Sequence, residues 1–385
     1  MNKPDTSFRP APAGATQINP NALRGRGARS NNAGRFEKLA TKISDDGWGS
    51  LDSLSKRPRT QTIRDTSRSI INPVTSPDIG FDRSINPYRG CEHGCIYCFA
   101  RPTHAYLGLS PGQDFETHIL VKPDAPALLR QELQRPGYRV RHIAIGTNTD
   151  PYQPIEREQK TMRQLLEVLL EFRHPVGIVT KSALILRDID LLQELARREL
   201  VHVSLSVTTL TPKLARAMEP RAATPMRRLH AIEELSKAGV PTGVMVAPVI
   251  PGLTDHEMEA IMREAANRGA TGAGYILLRL PNEVAPLFRE WLGEVAPDKL
   301  ARVMRHVREA RSGNDNDSAH FQRMRGKGPY AELLASRFRI ALKRHRLKVN
   351  RPGLRTDLFA VPDSLRPQLD LFADLPHQGV CTSQN

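Results

Sequence analysis

Three of the chain's four cysteines lie within eight residues, in the segment CEHGCIYC. Cys91, Cys95 and Cys98 have the spacing C-x3-C-x2-C, and the fourth cysteine, Cys381, is close to the end of the sequence. Thiolates this close together can ligate a metal, whereas a disulfide would use only two of them. Three thiolates on one tight loop can ligate three irons of a cubane [4Fe–4S] cluster, which normally takes four cysteines. Such a cluster would have one iron without a protein thiolate.

Zinc is the alternative metal for this loop. With His93 or His104 as a fourth ligand, the three cysteines could form a tetrahedral Cys3His site. Structural zinc sites more often combine two C-x2-C pairs that lie far apart in the chain, and this sequence has no second pair. The residue types alone leave both metals open.

Polar residues also follow several predicted strands, where ligands bind in sheets of parallel strands. Asp150 comes shortly after the strand HIAIG, Lys181 ends VGIVTK, and Ser206 lies near the end of VHVSLSV. Glu219 and Arg221 follow in the segment MEPRAATP. A single polar residue after a strand is usually just solvated, so the prediction of a site depends on the whole set.

The elements that would position these residues alternate along the chain. Amphipathic helical segments cover 159–173, 186–199, 225–239 and 255–269, and the last two end in glycines that stop a helix. The strand GFDRSINPY (80–88) leads into the cysteine loop. Six further short apolar runs read as strands: 117–122, 142–146, 176–181, 201–207, 243–250 and 274–280. This alternation predicts βαβ units around a parallel sheet, either open or closed into a complete or partial barrel.

In this context the cysteine loop, with Tyr97 before its last cysteine, resembles the signature loop of radical S-adenosylmethionine (radical SAM) enzymes. The resemblance implies an α/β fold with a partial (β/α)6 barrel, which we place at residues 61–296. The change of sequence pattern after Pro297 predicts a helical extension over 297–361. It implies a [4Fe–4S] cluster on the three cysteines, with S-adenosylmethionine on the fourth iron. Reductive cleavage by an electron donor would then give a 5′-deoxyadenosyl radical that abstracts hydrogen from the substrate.

From about Ile85 to Leu280, the order of motifs is similar to the spore photoproduct lyase branch of this superfamily. The whole-chain pattern also resembles an uncharacterised bacterial group of radical SAM proteins related to DNA repair photolyases. The similarity implies that four residues bind the cofactor: Tyr97, Asp150, Lys181 and Ser206. That lyase has a hydrogen-donating cysteine at a place that corresponds here to the region of Thr147, where this chain has none. The tyrosines that could replace it are Tyr88, Tyr106 and Tyr152.

The chain carries 56 Lys and Arg against 41 Asp and Glu, a net charge of +15. This surplus favours a polyanion partner, with nucleic acid as the first candidate. The cations concentrate in a basic arm at residues 1–60, predicted to be disordered, and in the helices of 297–361; residues 362–385 are predicted to be a tail. The alternatives are a near-neutral core with basic tails, a protein or peptide substrate, or a zinc-stabilised nucleic-acid-binding protein without catalysis.

No apolar run approaches the roughly 20 residues that cross a bilayer. The first residues also lack the apolar segment of a secretory signal. We therefore expect a cytoplasmic protein, with no membrane partner and with thiols that are kept reduced.

Overall fold

The computed structural model describes residues 25–37, 59–349, 353–362 and 365. Its strands are β1 (Gln61–Arg64), β2 (Ile71–Pro73), β3 (Arg83–Ile85), β4 (Tyr88–Arg89), β5 (His118–Val121), β6 (Ile143–Ile145), β7 (Val176–Thr180), β8 (Val201–Ser206), β9 (Thr242–Val249) and β10 (Gly272–Leu277). Its α-helices are α1 (Asp114–Thr117), α2 (Ala125–Leu133), α3 (Glu156–Gln159), α4 (Thr161–Glu171), α5 (Ile189–Arg197), α6 (Pro212–Met218), α7 (Pro225–Lys237), α8 (Met258–Ala266), α9 (Val284–Val295), α10 (Pro297–Glu309) and α11 (Pro329–Arg344).

Seven strands form the main sheet, in the order β10-β9-β8-β7-β6-β3-β2. β3 and the five strands from β6 to β10 are parallel, and β2 pairs antiparallel with β3. Within the described residues the outer strands β10 and β2 do not pair with each other, so the barrel is open on one side. The six parallel strands, with helices between them, confirm the predicted partial (β/α)6 barrel.

The helices pack on the sheet through the apolar stripes that the sequence predicted. On α4 the stripe is fully buried and consists of Met162, Leu165, Leu166 and Leu169. The helices α7 and α8 are each followed by a glycine in the left-handed region, Gly239 at φ +77° and Gly269 at φ +88°. Only glycine adopts this conformation without a steric penalty, which is why the two helices end there.

The apolar run at 117–122 forms a strand outside the barrel. It becomes β5, which lies between β1 and β4 in a separate three-stranded sheet. The first barrel strand is instead β3, from the segment that leads into the cysteine loop. A short apolar run fits either sheet, because its composition does not specify its partner. The strand β4 of the small sheet lies directly before the cysteines. The short helix α1, which precedes β5, holds their loop, since the amide of Cys91 donates to the carbonyl of Phe115 in α1 at 2.9 Å.

Residues 25–37, within the predicted disordered arm, pack against the core. Arg26, Ala28 and Ser30 are buried, and the amides of Gly27 and Ala28 donate to the Glu116 carboxylate at 2.8 Å. This stretch is therefore ordered, because the distant Glu116 side chain accepts hydrogen bonds from its backbone. The local composition gives no sign of this partner. Most of the rest of the arm lies outside the described residues.

The helical extension is present, with α10 and α11 on either side of a long loop at residues 310–328. This loop reaches across the open side of the barrel. The amide of Leu277 in β10 donates to the carbonyl of Met324 at 2.9 Å. Arg323 pairs with Asp78, in the connection between β2 and β3, at 2.5 Å. In the described part of the chain, no helix has the length and apolar character needed to span a membrane. Nearly all of the predicted tail lies outside the described residues.

Candidate functional site

The cysteine loop lies beside residues that follow the barrel strands. Cys91 and Cys95 are buried, Cys98 is half-buried, and all three are free thiols. The backbone amide of Asp150, which follows β6, donates to the Cys91 sulfur. The positive charge of Lys181, which follows β7, is close enough to Cys95 and Cys98 to act in the direction of lowering the pKa of both thiols. The structure therefore brings the cysteines and two of the predicted cofactor-binding residues together.

No three His, Cys, Asp or Glu side chains among the described residues converge where one metal ion could bind them all. A single zinc ion requires such convergence, because its ligand atoms lie about 2.0–2.3 Å from the metal. A four-iron cluster does not, since each thiolate binds a different iron. His104 is fully buried, with Nε2 3.0 Å from the carbonyl of His118, and packs edge-on against Phe115. His104 therefore has a packing role, and the geometry favours a cluster over zinc.

Two buried side chains hold the cysteine loop by its backbone. Arg101 Nε donates to the carbonyl of Cys95 at 3.0 Å, and its Nη2 donates to Glu116 at 2.5 Å. The side-chain amide of Gln153 accepts from the backbone N–H of Glu92 at 2.7 Å and donates to the carbonyl of Gly90 at 3.2 Å. Because buried polar groups with full sets of partners have one favoured arrangement, these contacts fix the direction of the thiols.

Lys181 and Ser206 meet at the carboxyl ends of neighbouring strands β7 and β8. The Lys181 ammonium donates to Ser206 Oγ at 3.2 Å, and this hydroxyl donates to the carbonyl of Ala247 at 3.0 Å. The ammonium also lies 5.9 Å from the centre of the Tyr97 ring. Three of the four predicted cofactor-binding residues are thus adjacent to one another, beside the cysteine thiols.

The Asp150 carboxylate accepts several hydrogen bonds from within the protein. It accepts from the Thr180 hydroxyl at 2.7 Å, from the Lys181 amide at 2.7 Å and from the Tyr152 amide at 3.0 Å. His93 Nδ1 lies 3.3 Å from the same carboxylate. Burial opposes ionisation, but His93 and these hydrogen bonds outweigh it and lower the pKa of Asp150 to about 2. The carboxylate therefore stays ionised and ties the end of β7 to the cysteine loop.

Behind Tyr97 lies a buried ion pair. The Tyr97 hydroxyl donates to Glu219, which forms a close salt bridge with Arg228. Thr208 Oγ1 donates to the same carboxylate at 3.0 Å. Burial would raise the pKa of Glu219, but the positive charges of Arg228 and Lys181 outweigh it and lower the pKa. Tyr97 is thus anchored through its hydroxyl, while its ring faces the ammonium group.

Burial is the main cause of the high pKa values of the three thiols. It raises the pKa of Cys95 to about 12, with help from the Glu219 charge, and it raises the pKa values of Cys91 and Cys98 as well. Lys181 acts in the opposite direction on Cys95 and Cys98. These thiols would therefore be neutral on their own, and a bound metal would have to displace their protons.

The residues at this site fit a [4Fe–4S] cluster with S-adenosylmethionine. The loop offers three unpaired thiols, and backbone amides point at the sulfurs of Cys91 and Cys98. Such N–H groups are among the features that stabilise iron–sulfur centres and tune their potentials. Lys181 and Ser206 add an ammonium and a hydroxyl that could bind polar groups of the cofactor.

The tyrosines considered as hydrogen donors are not equivalent. Tyr88 and Tyr152 are fully buried, and the Tyr88 hydroxyl donates to Glu156. Tyr106 is 70% exposed and accepts a hydrogen bond from Arg35 at 3.3 Å. Only Tyr106 therefore has a hydroxyl on a largely exposed side chain.

Sequence reasoning missed the side chains that support the loop, namely Arg101, Glu116, Gln153 and Arg228. One of them carried a detectable signal. Arg228 falls on the buried stripe of α7 together with Ile232 and Leu235, where an unpaired charge would be costly. A charged residue at such a position indicates a buried partner, although not which one.

The chain matches one family model and is similar to several known proteins. Residues 85–265 match the family model of the Radical SAM superfamily. An uncharacterised protein of Mycobacterium tuberculosis is 40% identical over 238 residues, which are 61% of this chain and 70% of that protein. The radical SAM Nα-GlyT isomerase of Pseudomonas phage M6 is 25% identical over 176 residues, 44% of this chain and 34% of that protein.

Among solved structures, spore photoproduct lyase complexed with dinucleoside spore photoproduct has a similar fold. Its TM-score is 0.54 at 15% identity, and the alignment covers 74% of this chain and 79% of that chain. A variant of the same lyase has been solved with bound AdoMet. A [4Fe–4S] cluster and S-adenosylmethionine are the cofactors of the superfamily, which confirms the predicted cofactors. The chain belongs to the radical SAM superfamily.

Proposed function

We propose that Cys91, Cys95 and Cys98 hold the [4Fe–4S] cluster, that Lys181 and Ser206 bind S-adenosylmethionine, and that the enzyme acts on nucleic acid. The observation that carries the proposal is the position of the Lys181–Ser206 pair beside three unpaired thiols. When bound, the reduced cluster and S-adenosylmethionine supply a 5′-deoxyadenosyl radical that abstracts a hydrogen atom from the substrate.

Each residue around the thiols has a separate task in this proposal. Lys181 and Ser206 donate hydrogen bonds to oxygen atoms of S-adenosylmethionine, and the Lys181 charge offsets the negative charge of the Cys95 and Cys98 thiolates. Tyr97 presents its ring to the same cofactor. Asp150 accepts the backbone N–H of Lys181, so we assign it the positioning of Lys181 and of the cysteine loop. Its place beside the amino group of the cofactor remains a prediction.

Nucleic acid as the substrate is supported first by the net charge of +15. The solved structure of a protein with a similar fold, spore photoproduct lyase, contains a dinucleoside. Proteins with a large positive surplus bind phosphate backbones through ion pairing and counterion release. A base within a duplex would need to flip out to reach the end of a barrel.

The exposed cations at the end of α11 are poorly placed for this substrate. Arg339, Lys343 and Arg344 are exposed and form no ion pair with a described carboxylate. Lys348, which follows them, lies next to Gly272 at the start of β10. The cysteines lie at the other end of the barrel strands. A nucleic acid strand bound to these cations would therefore lie away from the thiols. Other residues must contact the substrate near the cysteine loop.

Anaerobic reconstitution tests the cluster. The protein should be brown, with broad visible absorption, and should form 5′-deoxyadenosine after addition of a reductant and S-adenosylmethionine. The Cys95→Ala variant should lose the colour, and Cys381→Ala, which removes the remaining cysteine, should keep it. Colourless protein with stoichiometric zinc, or equal loss of colour in both variants, would overturn the proposed cluster.

A further inference from the structure

Two arginines near the carboxyl end of β10, Arg279 and Arg311, have no carboxylate partner among the described residues. Arg279 follows the strand by two residues, and its Nε is buried without a hydrogen-bond acceptor. Arg311 is 1% exposed and donates only to backbone carbonyls, those of Leu277, Leu278 and Gln322, at 2.9–3.3 Å. Neither arginine forms an ion pair with any carboxylate in the part of the chain that the structure describes.

The charge around these arginines does not balance. The Arg323 charge lowers the pKa of Arg279 and the Asp78 charge raises it, while the Asp317 charge raises the pKa of Arg311. Asp78 is already occupied, because Arg323 donates to it through Nε at 2.7 Å and Nη2 at 2.5 Å. Burial and the neighbouring Arg279 charge lower the pKa of Arg311 to about 10. Arg311 is buried and Arg279 and Arg323 are half-buried, and such a cluster of cations with too few carboxylates is unfavourable unless another anion binds there.

The surroundings of Arg279 show where that anion would bind. Its guanidinium lies 5.0 Å from the centre of the Phe99 ring, and Nη1 reaches only Met324 Sδ at 3.8 Å. Phe99 directly follows Cys98 in the chain and is 44% exposed. The partly exposed Phe99 ring, one residue after a proposed cluster ligand, is therefore adjacent to a guanidinium that has no carboxylate partner among the described residues.

We propose that Arg279 is a substrate-binding residue that holds a backbone phosphate of a single-stranded or flipped-out nucleic acid segment, with a base stacked on Phe99. This inference rests on the proposed nucleic acid substrate and names the residues that hold it. Guanidinium groups bind phosphate oxygens through paired hydrogen bonds, and exposed aromatic rings stack on bases of any sequence. A peptide carboxylate could also pair with Arg279, but the 44% exposed ring of Phe99 beside it adds a surface on which a base can stack, and this favours nucleic acid.

The test measures binding of a fluorescein-labelled, single-stranded DNA oligonucleotide of mixed sequence to the full-length reconstituted protein by anisotropy. Arg279→Gln should weaken binding about tenfold and reduce the slope of log K against log salt by about one. The matched control is Arg305→Gln on α10, where Arg305 is exposed and 3.7 Å from Glu309, and its affinity should change less than about twofold. Phe99→Leu should weaken binding about tenfold, whereas Phe99→Tyr should retain it.

The outcomes separate this inference from the function on which it rests. If the wild-type protein does not bind the oligonucleotide at low salt, the nucleic acid substrate itself is wrong. If it binds and Arg279→Gln behaves like Arg305→Gln, with unchanged cluster absorption, the inference is wrong and the substrate class stands. A polyglutamate peptide that competes equally well with the wild-type protein and Phe99→Leu would show a general anion site and would also overturn the inference.

Discussion

The buried ion pair behind Tyr97 gives a sharp stability prediction for the Glu219→Gln variant. The side chains of Glu219 and Arg228 are at most 1% exposed, and the pKa of Glu219 is lowered, so the carboxylate is ionised at neutral pH. Glutamine keeps the size of the side chain and removes only its charge. The Arg228 charge would then remain buried without an opposite charge.

The expected loss follows from the partners that Arg228 would keep. Breaking a buried pair by removing one charge costs about 3–5 kcal/mol. Arg228 would still donate to the carbonyls of Ala223 at 2.7 Å and Ser206 at 2.9 Å, which favours the lower end, about 3 kcal/mol. The control is Glu259→Gln, since Glu259 pairs with Arg337 at 2.7 Å while the two side chains are 34% and 27% exposed. That change should cost about 0–1 kcal/mol.

Urea unfolding under anaerobic conditions measures the difference. Fluorescence of the buried Trp291 and far-ultraviolet circular dichroism should report the same transition, with equal slopes for both variants. The double variant Glu219→Gln/Arg228→Met should recover part of the loss, because it leaves no buried charge. The reasoning fails if Glu219→Gln costs no more than Glu259→Gln, or if the double variant is less stable than the single one.

Three further predictions concern other parts of the molecule. Gly27→Ala should cost about 1–3 kcal/mol in urea unfolding, because the added Cβ would lie 1.8 Å from a carbonyl oxygen of the cysteine loop; Gly293→Ala, with open space around it, should not destabilise the protein. Burial lowers the pKa of His174 to about 4 from its usual 6.5, so the stability it contributes is present above pH 6.5 and lost towards pH 4. His174→Gln should therefore reduce the pH dependence of unfolding in this range by about 1.4 kcal/mol per pH unit, and an unchanged slope would contradict the assignment. Lys181→Met should weaken S-adenosylmethionine binding about tenfold in equilibrium titrations with cluster absorption intact, whereas the exposed Lys213→Met should bind normally; equal affinities would refute the role of Lys181.

The sequence predicted the barrel well because its strands and helices have distinct periodicities. Each amphipathic segment became a helix, and each apolar run became a strand. The partner of a strand is a different question, because pairing depends on residues that lie far apart in the chain. This is why the run at 117–122 joined the small sheet and not the barrel. Residues 25–37 were misread for the same reason, since their order depends on Glu116.

For the candidate site, too, the sequence predicted some of the residues and not others. Lys181 and Ser206 could be named because parallel strands end on one side of a sheet, which places residues from distant segments side by side. The charges that support them could not be named, since each partner is chosen by packing and not by spacing. Glu219 and Arg228 are nine positions apart, but Arg26 donates to the backbone carbonyl of Glu116, which is ninety positions away. No local pattern connects the latter pair.

The balance of buried charge separates residues that support this site from residues that face a ligand. Around the cysteines, the buried carboxylates have cationic or histidine partners within the protein: Glu219 with Arg228, Glu116 with Arg101, and Asp150 with His93. These pairs need no ligand to be stable, so their tasks are structural. The arginines at the end of β10 differ, because Arg279 and Arg311 have no carboxylate partner among the described residues. A protein that pairs the buried carboxylates near the site, and leaves the half-buried Arg279 beside the exposed Phe99 ring and the buried Arg311 without carboxylates among the described residues, has the electrostatics of a site that an anionic substrate would complete.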